Sequence, residues 1–399
     1  MPIKELCDFC ASMQLDHCYT PINSARGMEV YVCAYCGLVQ SFSTVPYQSR
    51  PPGSMSCDAD RSSYRYTKDV ISDRYEECFT QYVDFTKFEH ILDVGSNRGA
   101  FVKYMAAHHP GKQITGIEPD PSVTDAYSML PNVSVQECRF EHAQLQENYF
   151  DFAYCAHTLE HADSAREMLL GIRRALKFGG LFFVAVPNLI FHNDIIEEIF
   201  IDPHTYHFNF SLLRSFVAQL GFSVEYAGGP KDAELMLLLK KKEGDEAQFK
   251  FSPVDPMLAQ EIKKEIVYYK DNIQRNRTAL KNSVVRLNVA AATHKVVVWG
   301  CGRIFDALIR FGGLDLAKVH LVVDKYLYRY VKELHGCKLY SPNVLENENL
   351  DTVLVYIASR DYADEIRAEA SALGITSFIQ FGNNDDKAVN QAQRTGEDG

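Results

Sequence analysis

Between residues 70 and 245, short apolar runs alternate with segments of helical periodicity. Ile91–Val94 predicts a buried strand, and the apolar spacing of Ala100–His108 predicts a helix soon after it. Such alternation is typical of βα units that build a parallel sheet. The other predicted elements are strands at Gln113–Glu118, Phe150–Cys155, Leu181–Val186 and Leu235–Leu239, a helix at Met168–Leu176 capped by Lys177–Gly180, and a helix near 212–222.

The same alternation returns towards the end of the chain and predicts a second Rossmann-like sheet. Gly300 and Gly302 suit a tight strand–turn–helix connection, but Phe305 occupies the third glycine position of a dinucleotide fingerprint. We therefore expect a domain that supports the fold and closes over the substrate rather than a dinucleotide site. The predicted elements are a bridging helix at Lys263–Asn288, a strand–turn–helix that starts with Lys295–Gly302, strands at Leu321–Asp324 and Val353–Ala358, and a helix at Asp361–Leu373.

Length, composition and charge narrow the classes of function. The chain has 399 residues, and at about 100–200 residues per domain this predicts two or three domains. Hydrophobic residues make up 46%, and because no apolar run approaches the roughly 20 residues of a bilayer span, we expect no membrane association. The net charge of −11 argues against a nucleic-acid binder, which usually presents a basic surface. The start lacks an apolar stretch, so we expect no signal peptide.

The eleven cysteines are unevenly distributed. An odd count without a secretory signal indicates reduced thiols and a cytoplasmic location. Two C-x-x-C pairs lie near the start of the chain, and two such turns can form a tetrahedral all-sulfur site that suits zinc. The alternatives are a redox pair and substitution by His17 or Cys18 as ligands. We predict a structural zinc, which supplies folding energy to a segment with little core, bound by Cys7, Cys10, Cys33 and Cys36.

The turn between the strand at 91–94 and the next helix has the composition of a nucleotide-binding loop. Gly95 and Gly99 allow the backbone to approach a ligand closely, and the helix N-terminus favours a carboxylate. Glu118 follows the next strand, where an acid can accept hydrogen bonds from ribose hydroxyls. The pattern D-x-G-x-x-x-G resembles motif I of class I S-adenosylmethionine (SAM)-dependent methyltransferases. This resemblance implies SAM as cofactor, contacted by Asp93, Gly95, Ser96, Asn97, Gly99, Glu118 and Pro119.

The whole chain resembles the zinc-containing sugar C-methyltransferase family, which has a four-cysteine ribbon, a SAM domain and a C-terminal Rossmann-like domain in this order. The fold class implied is α/β, with a central Rossmann-like class I methyltransferase sheet, a small N-terminal zinc ribbon and a second C-terminal Rossmann-like domain. The predicted domains are a ribbon at 1–45, a linker at 46–69, the SAM-dependent methyltransferase domain at 70–245, a helical linker at 246–292, the Rossmann-like domain at 293–382 and a disordered tail at 383–399.

The family's reaction removes a proton next to a ketone and methylates the resulting enolate carbon. The resemblance places His204 on the family's histidine, as base or acceptor contact, while Pro203 and Ile201 stand where the family carries glutamate and tyrosine. An imidazole suits a base whose pKa lies near working pH. The candidate catalytic residues are His204, Tyr206, His207 and His161, with His157 weighed beside them as a structural histidine.

The predicted activity is SAM-dependent methyl transfer to a nucleotide-activated sugar or related glycan precursor. The first alternative is an O- or N-methyltransferase of a saccharide or small metabolite, and the second is a non-catalytic assembly protein with a vestigial SAM fold. A nucleotide-sugar would need a local basic patch in this acidic chain, for which Arg61, Arg65 and Lys68 are the candidates. The expected partner is thus a small molecule; the oligomeric state is left open.

Overall fold

The computed structural model describes residues 6–45, 71–125, 127–190, 194–197, 199–244, 256–329 and 331–381. The predicted linker at 46–69, the tail at 383–399, and Arg61, Arg65 and Lys68 lie outside these ranges. By its internal contacts the chain divides into two compact units, Met1–Tyr269 and Lys270–Gly399.

Among the described residues, the first unit holds two sheets and the second holds one. The helices are α1 (Asp73–Tyr82), α2 (Ala100–His108), α3 (Pro121–Thr124), α4 (Ala165–Ala175), α5 (Phe210–Gln219), α6 (Pro256–Ala290), α7 (Arg303–Ala307) and α8 (Ala363–Ala372). The strands are β1 (Leu15–Tyr19), β2 (Met28–Cys33), β3 (Val39–Ser43), β4 (His90–Val94), β5 (Gln113–Ile117), β6 (Val133–Gln136), β7 (Phe150–Ala156), β8 (Leu176–Pro187), β9 (Tyr206–His207), β10 (Phe222–Gly228), β11 (Glu234–Lys241), β12 (Lys295–Trp299), β13 (Leu321–Val323), β14 (Glu333–Leu334), β15 (Cys337–Tyr340), β16 (Val353–Ile357) and β17 (Ser377–Gln380).

The N-terminal sheet is antiparallel in the order β1-β2-β3-β9. Its fourth strand comes from the segment that sequence reasoning assigned to the methyltransferase domain. Val39 pairs with His207, and Gln40 pairs with Tyr206. The ribbon and the segment with the candidate catalytic histidines are therefore joined by backbone hydrogen bonds of one ladder.

The central sheet has the order β10-β11-β8-β7-β4-β5-β6. The strands from β8 to β6 run parallel, whereas β11 is antiparallel to both β8 and β10. The order reverses direction beside β4, so that the loops after β4 and β7 meet at the carboxyl edge of the sheet, where ligands of such folds bind. This confirms the predicted α/β class and the strands near 91–94, 113–118, 150–155, 181–186 and 235–239.

An aromatic core fixes the helices against this sheet. Phe79 of α1 is 1% exposed and lies edge-on to Phe152 and Phe183, with ring centroids 5.7 and 5.0 Å away. Such edge-to-face pairs add roughly 0.5–1.5 kcal/mol each to the free energy of area burial. Phe101 of α2 stacks on Tyr154 at 4.1 Å, which holds α2 and the loop preceding it against β7.

Two local predictions were wrong. The predicted cap at Lys177–Gly180 is part of β8, because Leu176 pairs with Phe150 and the ladder shifts register before resuming at Phe152. The glycines form this bulge, where Gly179 has a φ of +73°. The run Lys240–Lys242 at the end of β11 predicts a solvated strand end from its charge, and this prediction is wrong for Lys241. It is buried and donates hydrogen bonds to Leu176 O at 2.6 Å and Asn148 Oδ1 at 2.8 Å.

The second unit contains the six-stranded sheet β14-β15-β13-β12-β16-β17. The five strands from β15 to β17 are parallel, which confirms the predicted second Rossmann-like sheet. Val297, Val355 and Ile357 are fully buried at its centre, as expected for strands covered on both faces.

Candidate functional site

The four cysteines of the N-terminal pairs converge on one point. Their Sγ atoms all lie within 4.8 Å of one another. The Cys7–Cys36 Sγ distance is 3.3 Å and the Cys10–Cys33 distance is 3.6 Å. Zinc–sulfur bonds of about 2.3 Å in a tetrahedron place the sulfurs roughly 3.8 Å apart. The donor set and its spacing therefore fit zinc, whereas His17, an alternative ligand, pairs with Glu29.

The first cysteine turn also packs on the central domain. The Asp8 carboxylate accepts hydrogen bonds from Ser164 Oγ at 2.6 Å and Arg166 N at 3.0 Å, at the start of α4. Phe9 stacks on Phe216 of α5 with centroids 4.1 Å apart. Asp8 thus satisfies backbone groups that a helix N-terminus leaves open, and the ribbon forms part of the wall of the central domain.

The loop after β4 has the geometry expected of a cofactor loop. Gly95 and Gly99 adopt φ values of +76° and +75°, and Asn97 lies at +44°. A Cβ on Gly95 would lie 2.0 Å from Thr158 Oγ1. A Cβ on Gly99 would lie 2.3 Å from the Tyr127 ring. Both glycines are therefore required by backbone conformation and by space, and Asn97 occupies the left-handed region that asparagine tolerates.

Two acids flank this loop. Glu118 accepts hydrogen bonds from Asn97 N and Asp120 N, both at 2.9 Å, and burial raises the pKa of its carboxyl. Burial and the nearby Glu118 also raise the pKa of Asp93 well above its usual range. Neither Asp93 carboxylate oxygen has a hydrogen-bond partner among the described residues. A cationic ligand would compensate these buried carboxyls, and the ammonium and sulfonium groups of SAM fit that requirement.

A cavity of about 580 Å³ adjoins the loop. Gly95, Asn97, Glu118 and Pro119 line it, and so do the candidate catalytic residues His161 and His204. His157 lines it as well, whereas the lining residues do not include Asp93, Ser96, Gly99, Tyr206 and His207. Ser96 and Gly99 support the loop, since Ser96 Oγ bonds Tyr127 OH at 2.7 Å. The ribbon contributes Arg26, Met28, Ser41, Phe42 and Ser43 to the cavity wall.

Tyr206 and His207 are buried beside the cavity and engaged in structural contacts. The Tyr206 hydroxyl donates to Asp163 O at 3.0 Å. His207 Nε2 lies 2.7 Å from Ser41 Oγ of β3, and burial lowers the pKa of its ring well below the usual range. Both residues belong to β9 of the ribbon sheet, and neither is among the residues that line the cavity.

His161 and His204 meet at the cavity wall beside Glu160. His161 ends a 3₁₀ turn that follows β7, and its ring centroid lies 4.9 Å from that of His204. Thr205 N donates to Glu160 O at 2.8 Å, and His161 Nδ1 lies 2.9 Å from Pro203 O. The two chain segments are thus held together by hydrogen bonds that involve the backbone.

The charges in this group are set by burial and by neighbours. Burial, with His161 nearby, lowers the pKa of His204 to about 4. Burial raises the pKa of Glu160, but the neighbouring His157 and His161 outweigh it and lower that pKa to about 2. Burial opposes the charge on His157, yet Glu160 and Glu234 raise its pKa to about 10. Glu160 is therefore a buried anion, and His204 is neutral at pH 7.

Sequence reasoning missed several cavity residues. Glu160 was visible beside His161 at the end of a strand, the position where parallel sheets present functional groups. Arg26 and Arg139 lie in no recognised sequence motif, so the sequence did not indicate them as cavity residues. The Arg26 guanidinium donates to Val45 O and Asp202 O, each at 3.0 Å, and Arg139 pairs with Asp163. Only folding brings these two guanidinium groups to the cavity.

Asp324, the acid that follows β13 in the second unit, accepts hydrogen bonds from backbone N–H groups. Asp324 accepts hydrogen bonds from Cys301 N at 3.0 Å, Tyr326 N at 2.9 Å and Leu327 N at 2.7 Å. Its carboxylate thus fastens the glycine turn at Gly300 to the loop after β13.

Comparison with known proteins identifies the central fold. The family model described as "Methyltransferase domain" matches residues 92–184, and the model described as "C2185-like, N-terminal" matches residues 292–377. The comparison with curated proteins finds no match. The central domain is thus a SAM-dependent methyltransferase domain, and SAM is the methyl donor of this class.

Solved structures similar to this chain are also methyltransferases. A SAM-dependent methyltransferase from Mesorhizobium loti is 13% identical, with 43% of this chain and 98% of that chain covered and a TM-score of 0.37. The 1,6-didemethyltoxoflavin-N1-methyltransferase of Burkholderia thailandensis, bound to S-adenosylhomocysteine, is 16% identical over 51% and 96%, with a TM-score of 0.37. Human N-acetylserotonin methyltransferase with SAM is 18% identical over 48% and 60%, with a TM-score of 0.37.

Proposed function

We propose that this protein transfers the methyl group of SAM to a nucleotide-activated sugar or related glycan precursor. The observation that carries the proposal is the cavity in which the cofactor loop faces His161 and His204 while the ribbon completes the wall. SAM supplies an electrophilic methyl group on its sulfonium. The residues of this chain then have to bind, orient and deprotonate the acceptor.

The cavity wall suits a polyhydroxylated acceptor. Ser41, Asp202 and Thr205 contribute polar groups that can hydrogen-bond to sugar hydroxyls, and Arg26 and Arg139 contribute guanidinium groups. Guanidinium groups bind phosphate through charge-assisted hydrogen bonds. We assign to these two arginines the phosphate contact for which the sequence suggested Arg61, Arg65 and Lys68, which lie outside the described residues.

The atom that receives the methyl group is the second question. The resemblance to sugar C-methyltransferases favours carbon, with His204 as base. A second candidate, O- or N-methylation, is favoured by Pro203 and Ile201, which stand where that family carries glutamate and tyrosine. In O-methylation the hydroxyl loses its proton, the oxygen takes the methyl group, and the S–CH₃ bond breaks to release neutral S-adenosylhomocysteine.

We also propose that Cys7, Cys10, Cys33 and Cys36 hold one structural zinc ion. The convergence of the four sulfurs supports this proposal. Because Asp8 and Phe9 lie inside the first cysteine turn and contact α4 and α5, the metal would also fix the ribbon side of the cavity.

The test uses trideuteromethyl SAM with a panel of nucleotide-sugars and mass spectrometry of the products. We expect a mass gain of one labelled methyl group, loss of turnover in His204→Ala, and retained turnover in the control His142→Ala, whose residue lies outside the lining set. Exchange of the sugar α-proton in deuterium oxide without methylation would support the carbon route. Binding of S-adenosylhomocysteine with no turnover on any acceptor would instead favour the non-catalytic alternative.

A further inference from the structure

We propose that Glu160, His161 and His204 form a second metal site that binds one divalent transition-metal cation in the cavity wall. Each residue offers one ligand atom, and the three atoms lie within 4.8 Å of one another. Ligands at about 2.0–2.2 Å from one ion lie roughly 3–4 Å apart. Small side-chain rotations that move the ligand atoms by about 1 Å would therefore bring all three to coordination distance. The role of the cation in catalysis rests on the proposed function, but its binding does not.

The hydrogen bonds of both imidazoles prepare them as ligands. His161 Nδ1 lies 2.9 Å from Pro203 O, and His204 Nδ1 lies 2.8 Å from Ile199 O. A carbonyl oxygen only accepts, so each Nδ1 carries the hydrogen, which leaves Nε2 of each ring as the nitrogen that can bind a metal. Metal-bound histidines commonly show this arrangement, in which a backbone carbonyl orients the ring through the other nitrogen.

Glu160 supplies the negative charge and an unused ligand atom. The residue is 2% exposed, and Oε2 has no hydrogen-bond partner among the described residues. Oε1 lies 3.6 Å from His157 Nδ1 and 3.9 Å from His161 Nε2. A buried carboxylate oxygen without a partner is costly, and a cation between it and the two Nε2 atoms would satisfy it.

The donor set indicates which cation binds. Two imidazole nitrogens and one carboxylate oxygen suit Mn²⁺, Fe²⁺ or Zn²⁺ and leave coordination positions open. The four thiolates of the ribbon form a softer set that favours zinc. The chain would therefore carry two metal sites of different chemistry, one structural and one facing the cavity.

The cation gives the proposed methyl transfer a way to activate an oxygen acceptor. A sugar hydroxyl in an open coordination position would lose its proton to water more readily, because the cation stabilises the alkoxide. The alkoxide oxygen then forms the O–CH₃ bond as the S–CH₃ bond breaks. His204 would serve as ligand in this scheme, and the acceptor atom would be oxygen rather than carbon.

The test is a titration of full-length protein with Mn²⁺, in which electron paramagnetic resonance measures the free Mn²⁺. The protein should contain at most one zinc per chain, so that zinc does not fill the second site. Loss of the free Mn²⁺ signal at one equivalent is expected for the wild type. Glu160→Gln, which keeps the shape of the side chain, should weaken Mn²⁺ binding at least tenfold, and so should His161→Ala, which alters a part-exposed ring. The control Glu141→Gln removes another cavity carboxylate outside the cluster and should bind Mn²⁺ as the wild type does.

The outcomes separate the two proposals. Absence of Mn²⁺ binding, or binding equally affected by Glu141→Gln, would overturn the metal site even if methyl transfer is observed. Mn²⁺ binding that depends on Glu160 and His161, without transfer to any nucleotide-sugar, would retain the site and reject the acceptor class. If the metal site and the proposed function are both correct, a chelator should reduce turnover at least tenfold. Added Mn²⁺ should then restore turnover in the wild type but not in Glu160→Gln.

Discussion

Replacement of Gly95 by alanine tests the cofactor loop most directly. Gly95 has a φ of +76°, and its Cβ would lie 2.0 Å from Thr158 Oγ1. An L-residue in this region costs about 1–2 kcal/mol in free energy of unfolding. Displacing Thr158 from its rotamer adds about 1 kcal/mol, and breaking its hydrogen bond to Ala156 O adds about another.

Gly111→Ala is the matched control, because Gly111 has a φ of +93° but no atom within 4 Å of the added Cβ. The backbone penalty is therefore shared, and the steric penalty belongs to Gly95 alone. We expect Gly95→Ala to lower the free energy of unfolding by about 3–4 kcal/mol and Gly111→Ala by about 1–2 kcal/mol. Urea denaturation of the full chain measures both.

Binding of S-adenosylhomocysteine, measured by calorimetry, provides the functional readout. Because the loop must shift to admit the Cβ, we expect Gly95→Ala to weaken binding at least tenfold, about 1.4 kcal/mol, and Gly111→Ala to leave it unchanged. The further change Thr158→Ala should recover part of both losses. Affinity of Gly95→Ala within threefold of the wild type, with stability no lower than that of Gly111→Ala, would refute the reasoning.

Two further predictions concern the ribbon and the buried acid. Metal analysis of the reduced protein should find one zinc per chain. The Cys36→Ser variant should lose this zinc, whereas Cys301→Ser, which changes a buried cysteine outside the cluster, should keep it. Equal zinc content in both variants would contradict the four-thiolate site. Because burial raises the pKa of Asp93, its charged form opposes folding, and stability should fall as pH rises above about 4 towards the pKa in the folded state. Asp93→Asn should therefore raise the melting temperature at pH 8 and weaken S-adenosylhomocysteine binding, whereas a lower melting temperature with unchanged affinity would contradict this account.

The sequence alone predicted the features that depend on neighbouring residues. The helix at Ala100–His108 has the predicted bounds, because its apolar spacing and the preceding Gly99 act within one turn of chain. The spacing within each cysteine pair likewise encodes a local turn. Chain order and short connections then gave the α/β class, since successive βα units form neighbouring parallel strands.

Only the tertiary structure decided what meets at the cavity. Glu160 follows β7 and His204 precedes β9, and the hydrogen bond from Thr205 N to Glu160 O joins these distant segments. The pairing of β9 with β3 brings the ribbon to the same wall and engages Tyr206 and His207 in the ribbon sheet. Neither contact corresponds to a periodic pattern in the sequence. Long-range pairing depends on how whole helices and strands pack, rather than on the spacing of residues within one helix or strand. The sequence therefore determined the glycine loop after β4 and the cysteine turns, and folding determined which of the histidines line the cavity.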